Sequence, residues 1–159
     1  AVSIQEIKDS NTVIGLYFSA HWCPPCRRYT PMLAEKYQEL RKEGKKLEII
    51  FVSSDRDENA CKEYYAEHPW LLLDFADRDK KNALSTKYEV SGIPTFILLD
   101  NKLDTMVEDG RSAIMEVAFE DLKDYAAKKK EADETKATKA MIDQLEQRVG
   151  NRDQGGGYH

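Results

Sequence analysis

An unbroken apolar run from Val13 to Phe18 leads through Ser19-Ala20-His21-Trp22 into Cys23-Pro24-Pro25-Cys26, and beyond it Tyr29, Leu33, Tyr37 and Leu40 recur at helical spacing. The run reads as a buried strand, and its near-continuous apolar character suits a central parallel strand covered on both faces. Two cysteines therefore stand where a central strand hands over to a helix. Unpaired backbone N–H groups and the positive end of the helix dipole gather there, and they favour a thiolate over a thiol, most strongly at Cys23. The spacing lets the two sulfurs close into a small ring. Cys23 is expected to attack a disulfide, and Cys26, one turn on, to attack the resulting mixed disulfide and release the reduced product. Pro24 and Pro25 stiffen the ring, and Pro25 suits a first helical position because it has no N–H to leave unsatisfied. Arg27 and Arg28 either add to the positive potential or stand in solvent.

Trp22-Cys23-Pro24-Pro25-Cys26 after Tyr17-Phe18-Ser19-Ala20 resembles the active-site sequence of the tryparedoxin and nucleoredoxin branch of the thioredoxin superfamily; ordinary thioredoxins carry Trp-Cys-Gly-Pro-Cys. Pro31 stands where the superfamily has a kinking proline, and Ile93-Pro94-Thr95 is similar to its cis-proline loop. The resemblance covers the chain from about Val13 to about Tyr125. It implies a thioredoxin-like α/β fold, with a mixed central sheet flanked by helices. It implies a thiol-disulfide oxidoreductase of the protein-disulfide reductase type, with Cys23 and Cys26 as the redox-active pair. Trp22 and the Ile93-Pro94 loop would hold the substrate, the Ile93 backbone pairing with an extended segment. Tyr17 occupies the place of a buried acid in thioredoxins, and is either a core tyrosine or a proton-transfer group. Arg111 resembles an arginine that the branch keeps near the site; otherwise it is a solvated turn residue. In tryparedoxins a tryptophan and an acidic cluster follow the second strand. Here Ser53-Ser54-Asp55-Arg56-Asp57-Glu58 lacks the tryptophan and sets an arginine among the acids, a pattern closer to nucleoredoxins.

Composition narrows the alternatives. A chain of 159 residues supports one well-cored domain. A net charge of −5 argues against a nucleic-acid partner. No stretch approaches the ~18 apolar residues of a membrane span. Residues 1–10 lack the apolar core of a signal peptide, although a leader removed before Ala1 is compatible with this start. Three cysteines make no disulfide framework, and in a reducing compartment such a motif points to redox chemistry, so a cytoplasmic or nuclear location is expected. A zinc site would have to draw on Cys61 and the histidines, none at a ligand spacing, so no metal is expected. Because the dithiol is itself the redox carrier, no cofactor is expected.

The remaining elements follow from local signals. Ser3 to Glu6 has a capping-box pattern before a short helix. The helix after the motif should end near Glu43-Gly44. Leu47 to Val52 is a second buried strand, and Asp57 caps a helix carrying Cys61, Tyr64, Tyr65 and His68 until Pro69 stops it. Cys61 is expected to pack in that helix; redox sensing would need exposure. Trp70 to Leu73 is too apolar for a surface loop. Asp79 starts a helix with Leu84 and Tyr88 inward, Thr95 to Leu99 is a strand, and Leu103 to Val107 is its antiparallel partner. Ser112 is expected to cap a helix through Ile114, Ala118, Leu122 and Tyr125. The domain is thus expected over 1–125, with an Ala-, Lys- and Glu-rich helical extension over 126–149 and a disordered tail over 150–159. Met141, Leu145 and Val149 give the extension one thin apolar stripe.

Two rivals to the reductase remain. One is a tryparedoxin-type electron carrier from a low-molecular-weight dithiol to a peroxidase. The other is a redox-sensitive binding module without turnover. The expected partners are disulfide-containing proteins, with a reductase or a small dithiol as electron donor, and neither nucleic acid nor membrane.

Overall fold

Every residue of strand β1 (Val13–Ser19) is buried, as its apolar run requires. The computed structural model describes residues 2–156, with the side chains of 126 and 149–156 excepted. Two compact units emerge among the described residues, one ending at Lys123 and one beginning at Asp124.

In the first unit, β1 pairs in parallel with β2 (Leu47–Ser53) and antiparallel with β4 (Thr95–Asp100). The short β3 (Leu71–Leu72) adds in parallel to β2, and β5 (Thr105–Val107) adds antiparallel to β4. The mixed sheet has the order β3-β2-β1-β4-β5. Alternation along the strands divides its cover. Ile14, Leu16, Phe18, Val52, Ile97 and Leu99 pack with Ile7 of α1 (Ile4–Ser10) and with Leu84 of α4 (Arg78–Lys87). The other face carries Tyr17, Ser19, Phe51, Ser53 and Phe96 toward α2 (Pro24–Lys42), α3 (Glu58–Tyr65) and α5 (Gly110–Glu116). Gly15 is required on that face, since a Cβ there would lie 2.5 Å from the Phe96 ring.

Several boundaries match their local chemistry. The Ser3 hydroxyl accepts from Glu6 N–H, the Asp57 carboxylate accepts from Ala60 N–H, and Gly44 takes the left-handed φ of +81° just past α2. Others differ from expectation. Asp77, not Asp79, caps α4, because its carboxylate accepts from Lys80 N–H. Leu103 belongs to the turn before β5, with φ of 70° and its carbonyl bonded by the Tyr88 hydroxyl. Helix α5 begins before Ser112, at Gly110, where the chain passes so near β4 that a Cβ would stand 2.9 Å from the Phe96 carbonyl. The single helix expected through Tyr125 is broken: Val117 is extended and a 3-10 turn runs over Phe119–Asp124. The break buries Ile114 and Leu122 while leaving Ala118 exposed, an arrangement that one continuous helical face does not require.

The second unit is helix α6, Tyr125–Gly156. The tail expected to be disordered from 150 is helical as far as Gly156, since extending an existing helix is far easier than nucleating one; 157–159 lie outside the described residues. Met141, Ile142 and Leu145 are exposed, and the Val149 side chain lies outside the described residues. Among the described residues no helix is long and apolar enough to cross a membrane.

His68 is the unexpected core residue. It is buried beside Phe51 and Tyr64, at ring centroid distances of 4.4 Å, and its Nδ1 accepts from the Trp70 indole N–H at 3.1 Å. Nε2 has no partner among the described residues, and burial pushes the imidazole pKa down from 6.5 to about 3. Between those two values the unfolded chain binds a proton that the folded chain refuses. Stability therefore falls as pH drops below about 6.5, by at most about 1.4 kcal/mol per pH unit from this group. Urea denaturation of wild type against His68→Gln between pH 7 and 4 should show the slope reduced in the variant, which keeps an acceptor for Trp70 and does not titrate.

Candidate functional site

The turn after β1 positions two sulfurs differently. Cys23 is the N-cap of α2, with extended backbone, and its Sγ accepts the Cys26 N–H at 3.4 Å. Pro24 and Pro25 occupy the first helical positions, where a missing N–H costs nothing. All three cysteines are free thiols. Cys26 lies behind the cap with no solvent exposure, and burial, first among the causes, pushes its thiol up to about 11. The Ser19 hydroxyl and the Ala20 backbone oppose that rise.

The loop from the far side of the sheet meets this pair. The Ile93–Pro94 peptide is cis, Cys23 Sγ lies 3.9 Å from the Ile93 carbonyl oxygen, and Ile93 packs on Ala20, Cys23 and Cys26. Trp22 is half exposed beside the sulfurs, its indole N–H donating to the Ser54 carbonyl at 3.0 Å and the Arg56 guanidinium 5.9 Å from its ring. Tyr17 is fully buried under the site, its hydroxyl 2.7 Å from that of Thr30, and burial raises its phenol far above the ordinary range. The structure therefore unites Tyr17, Trp22, Cys23, Pro24, Pro25, Cys26, Ile93 and Pro94. Arg111 pairs through its Nε with Asp109 at 3.4 Å, and its carbonyl accepts from the Tyr29 hydroxyl of α2. Cys61 is wholly buried and its thiol is raised by that burial, the reverse of what a redox sensor needs.

Asp55 is a residue whose part the sequence did not disclose. It sits in the acid-containing stretch after β2, yet it turns inward and is 5% exposed. One carboxylate oxygen accepts the His21 N–H at 2.7 Å and the other accepts the Ser53 hydroxyl at 2.7 Å. With the Trp22 indole on Ser54, these bonds tie the turn bearing Cys23 to the end of β2. The pattern Ser53-x-Asp55 was the available signal, since a hydroxyl and a carboxylate two residues apart form a local turn. Thr30 and Tyr64 were likewise legible only as helix-face residues; their hydroxyls meet beneath Cys26. Among the described residues no group of three or more His, Cys, Asp or Glu is arranged to hold a metal ion.

Comparison with known proteins gives this geometry relatives. A family described as thioredoxin-like matches residues 11–105. Nucleoredoxin of Bos taurus is 44% identical over 113 residues, covering 71% of this chain and 26% of that protein. The chain thus spans about a quarter of the length of the nucleoredoxins it matches. Among solved structures, tryparedoxin I from Leishmania major is 42% identical with a TM-score of 0.64, covering 69% of this chain and 76% of that one. Tryparedoxin II complexed with glutathionylspermidine is 31% identical with a TM-score of 0.66, covering 72% and 78%.

Replacing Asp55 by Ala leaves the His21 N–H and the Ser53 hydroxyl without their acceptor. The expected result is a loss of about 2 kcal/mol of stability in urea denaturation. A slower reaction of Cys23 with a small disulfide should accompany it, because the turn is no longer anchored to β2.

Proposed function

The chain belongs to the thioredoxin-like family, and from that membership we propose that it is a thiol-disulfide oxidoreductase of the protein-disulfide reductase type. The observation that carries this reading is the asymmetry of the two sulfurs. Cys23 caps a helix, receives the Cys26 N–H and adjoins the cis-proline loop, whereas Cys26 is enclosed behind it. Cys23 as thiolate attacks one sulfur of a substrate disulfide, forming a mixed disulfide and releasing the first substrate thiolate. Cys26 then attacks Cys23 Sγ, the Cys23–substrate bond breaks, and the second thiol leaves. The two electrons gained by the substrate come from the two cysteines, which end as a disulfide. The Ile93 backbone and the Trp22 ring hold the extended substrate, Pro24 and Pro25 set the ring, and Tyr17 supports the pocket of Cys26. Arg111, whose carbonyl holds the Tyr29 hydroxyl of α2, is a further substrate-binding candidate.

A reductase or a small dithiol restores the pair. The reducing cytoplasm or nucleus is the compartment that suits three free thiols. The tryparedoxin-type carrier is the second reading, favoured by the fold it shares with tryparedoxin II complexed with glutathionylspermidine. Arg56, held over Trp22, weighs against a cationic donor here. Comparing reduction by trypanothione with reduction by a thioredoxin reductase separates the two.

With a fixed dithiol donor, wild type should turn over insulin disulfides, Cys23→Ser should fall to background, and Cys26→Ser should stall as a covalent mixed disulfide visible by mass spectrometry. A wild type whose dithiol oxidises reversibly without turnover would instead mark a redox-sensitive binding module.

A further inference from the structure

Four hydroxyl groups are buried together beneath Cys26: those of Tyr17, Ser19 and Tyr64, with no exposure, and that of Thr30, 3% exposed. They form a chain. Ser19 Oγ lies 2.7 Å from the Tyr64 hydroxyl, which lies 2.5 Å from Thr30 Oγ1, which lies 2.7 Å from the Tyr17 hydroxyl. In each pair either oxygen is able to donate. One end, Ser19, acts on the Cys26 thiol, whose pKa it lowers; the other approaches the Cys26 carbonyl, 2.9 Å from Thr30 Oγ1 and 3.5 Å from the Tyr17 hydroxyl.

We propose that this chain reverses its direction of donation when Cys26 passes from thiol to thiolate, which makes Ser19, Tyr64 and Thr30 positioning residues for release of the mixed disulfide. The inference rests on the dithiol reading above. Each hydroxyl has one proton and two lone pairs, so the bonds are countable. With Cys26 as thiol, S–H donates to Ser19, Ser19 to Tyr64, Tyr64 to Thr30, and Thr30 to the Cys26 carbonyl, while Tyr17 also donates to Thr30. With Cys26 as thiolate, Tyr17 donates to Thr30, Thr30 to Tyr64, Tyr64 to Ser19, and Ser19 to the sulfur. Every hydroxyl proton has an acceptor in both states, and only the bond to the Cys26 carbonyl is given up.

A buried anion needs donors aimed at it. The titratable groups facing Cys26 are Cys23 from the cap, Tyr17 from β1 and Tyr64 from α3, with His21 stacked on Tyr64 at 5.3 Å. The Ile93-Pro94 loop contributes no titratable side chain. Donation from the hydroxyl chain therefore joins the Ala20 backbone in holding the thiolate. In the step itself Cys26 loses its proton to water, its sulfur bonds Cys23 Sγ, and the Cys23–substrate bond breaks. The departing thiolate takes up a proton from water, so charge and protons balance.

The test uses the dithiobis(nitrobenzoate) disulfide, which releases one coloured thiolate on attack by Cys23 and a second on resolution by Cys26. Tyr64→Phe and Thr30→Val each cut the chain; Thr30→Ser keeps it. In both cut variants the first release should be unchanged and the second about tenfold slower. The Cys26 titration, followed by its 13Cβ shift in a Cys23→Ser background, should rise by about one unit, which corresponds to that tenfold loss of thiolate. Thr30→Ser should retain both wild-type values. An unchanged titration in the two cut variants, or an equal defect in Thr30→Ser, overturns the proposal. Because the titration needs no turnover, it judges the chain even if wild type fails to release the second thiolate, the result that would instead sink the dithiol reading.

Discussion

A strand with hydrogen-bonded neighbours on both edges and cover on both faces cannot slide or twist independently, and β1 is such a strand. A shift of one residue would turn Tyr17 and Ser19 onto the face now filled by Leu16 and Phe18, and would break the register with β2 and β4 together. The position of Ser19, and of the turn that follows it, is therefore set by the whole sheet. Cys23 inherits that precision through Ala20, whose carbonyl accepts the Cys23 N–H at 3.3 Å, and through Asp55, which ties His21 to β2. The helix then begins at a fixed point, and its first N–H groups are aimed before any substrate arrives.

That order of causes explains what could be read in advance. The apolar run, the helical repeat after Cys26, the two buried strands and the capping residues Ser3 and Asp57 are local signals, each decided by its own neighbours. The fold class and the principal sulfur pair followed from them and from the resemblance they carried. What stayed hidden depends on contacts between segments far apart in the chain. Gly110 opens α5 because β4 stands beneath it, which no cap signal at Ser112 reveals. Leu122 is buried without continuing the helix of Ile114, because a broken path serves the core as well as a straight one. Asp55 looked like one acid among several and is set apart only by the His21 N–H across the sheet end. Periodicity places Tyr64 and His68 on one inward face, but it cannot say that one hydroxyl meets Ser19 and Thr30 while the neighbouring imidazole is kept neutral.

The aromatic wall behind the sulfurs has a mechanical part to play. Tyr17 contacts Tyr29, Phe51, His68, Trp70 and Phe96 at ring centroid distances between 5.8 and 6.3 Å, several of them edge to face. Such packing leaves little room for water, which sharpens every electrostatic effect at Cys26. It is also why the polar atoms that remain must bond to one another. Ser19, Thr30, Tyr17 and Tyr64 do so, in a network that ends at Cys26.

The use of hydroxyls in place of a carboxylate has a consequence for the chemistry. A buried carboxylate beside Cys26 would itself titrate, and the two groups would share protons, so the thiol would have no single ionisation of its own. Burial raises the phenols of Tyr17 and Tyr64, which favours their neutral forms beside the thiol. Protons then remain on their oxygens and only their directions change, an adjustment that moves no heavy atom. A rigid, tightly packed wall and a sulfur that must alternate between thiol, thiolate and disulfide are compatible on those terms, because the wall answers the changing charge by rotating hydroxyl protons within fixed packing.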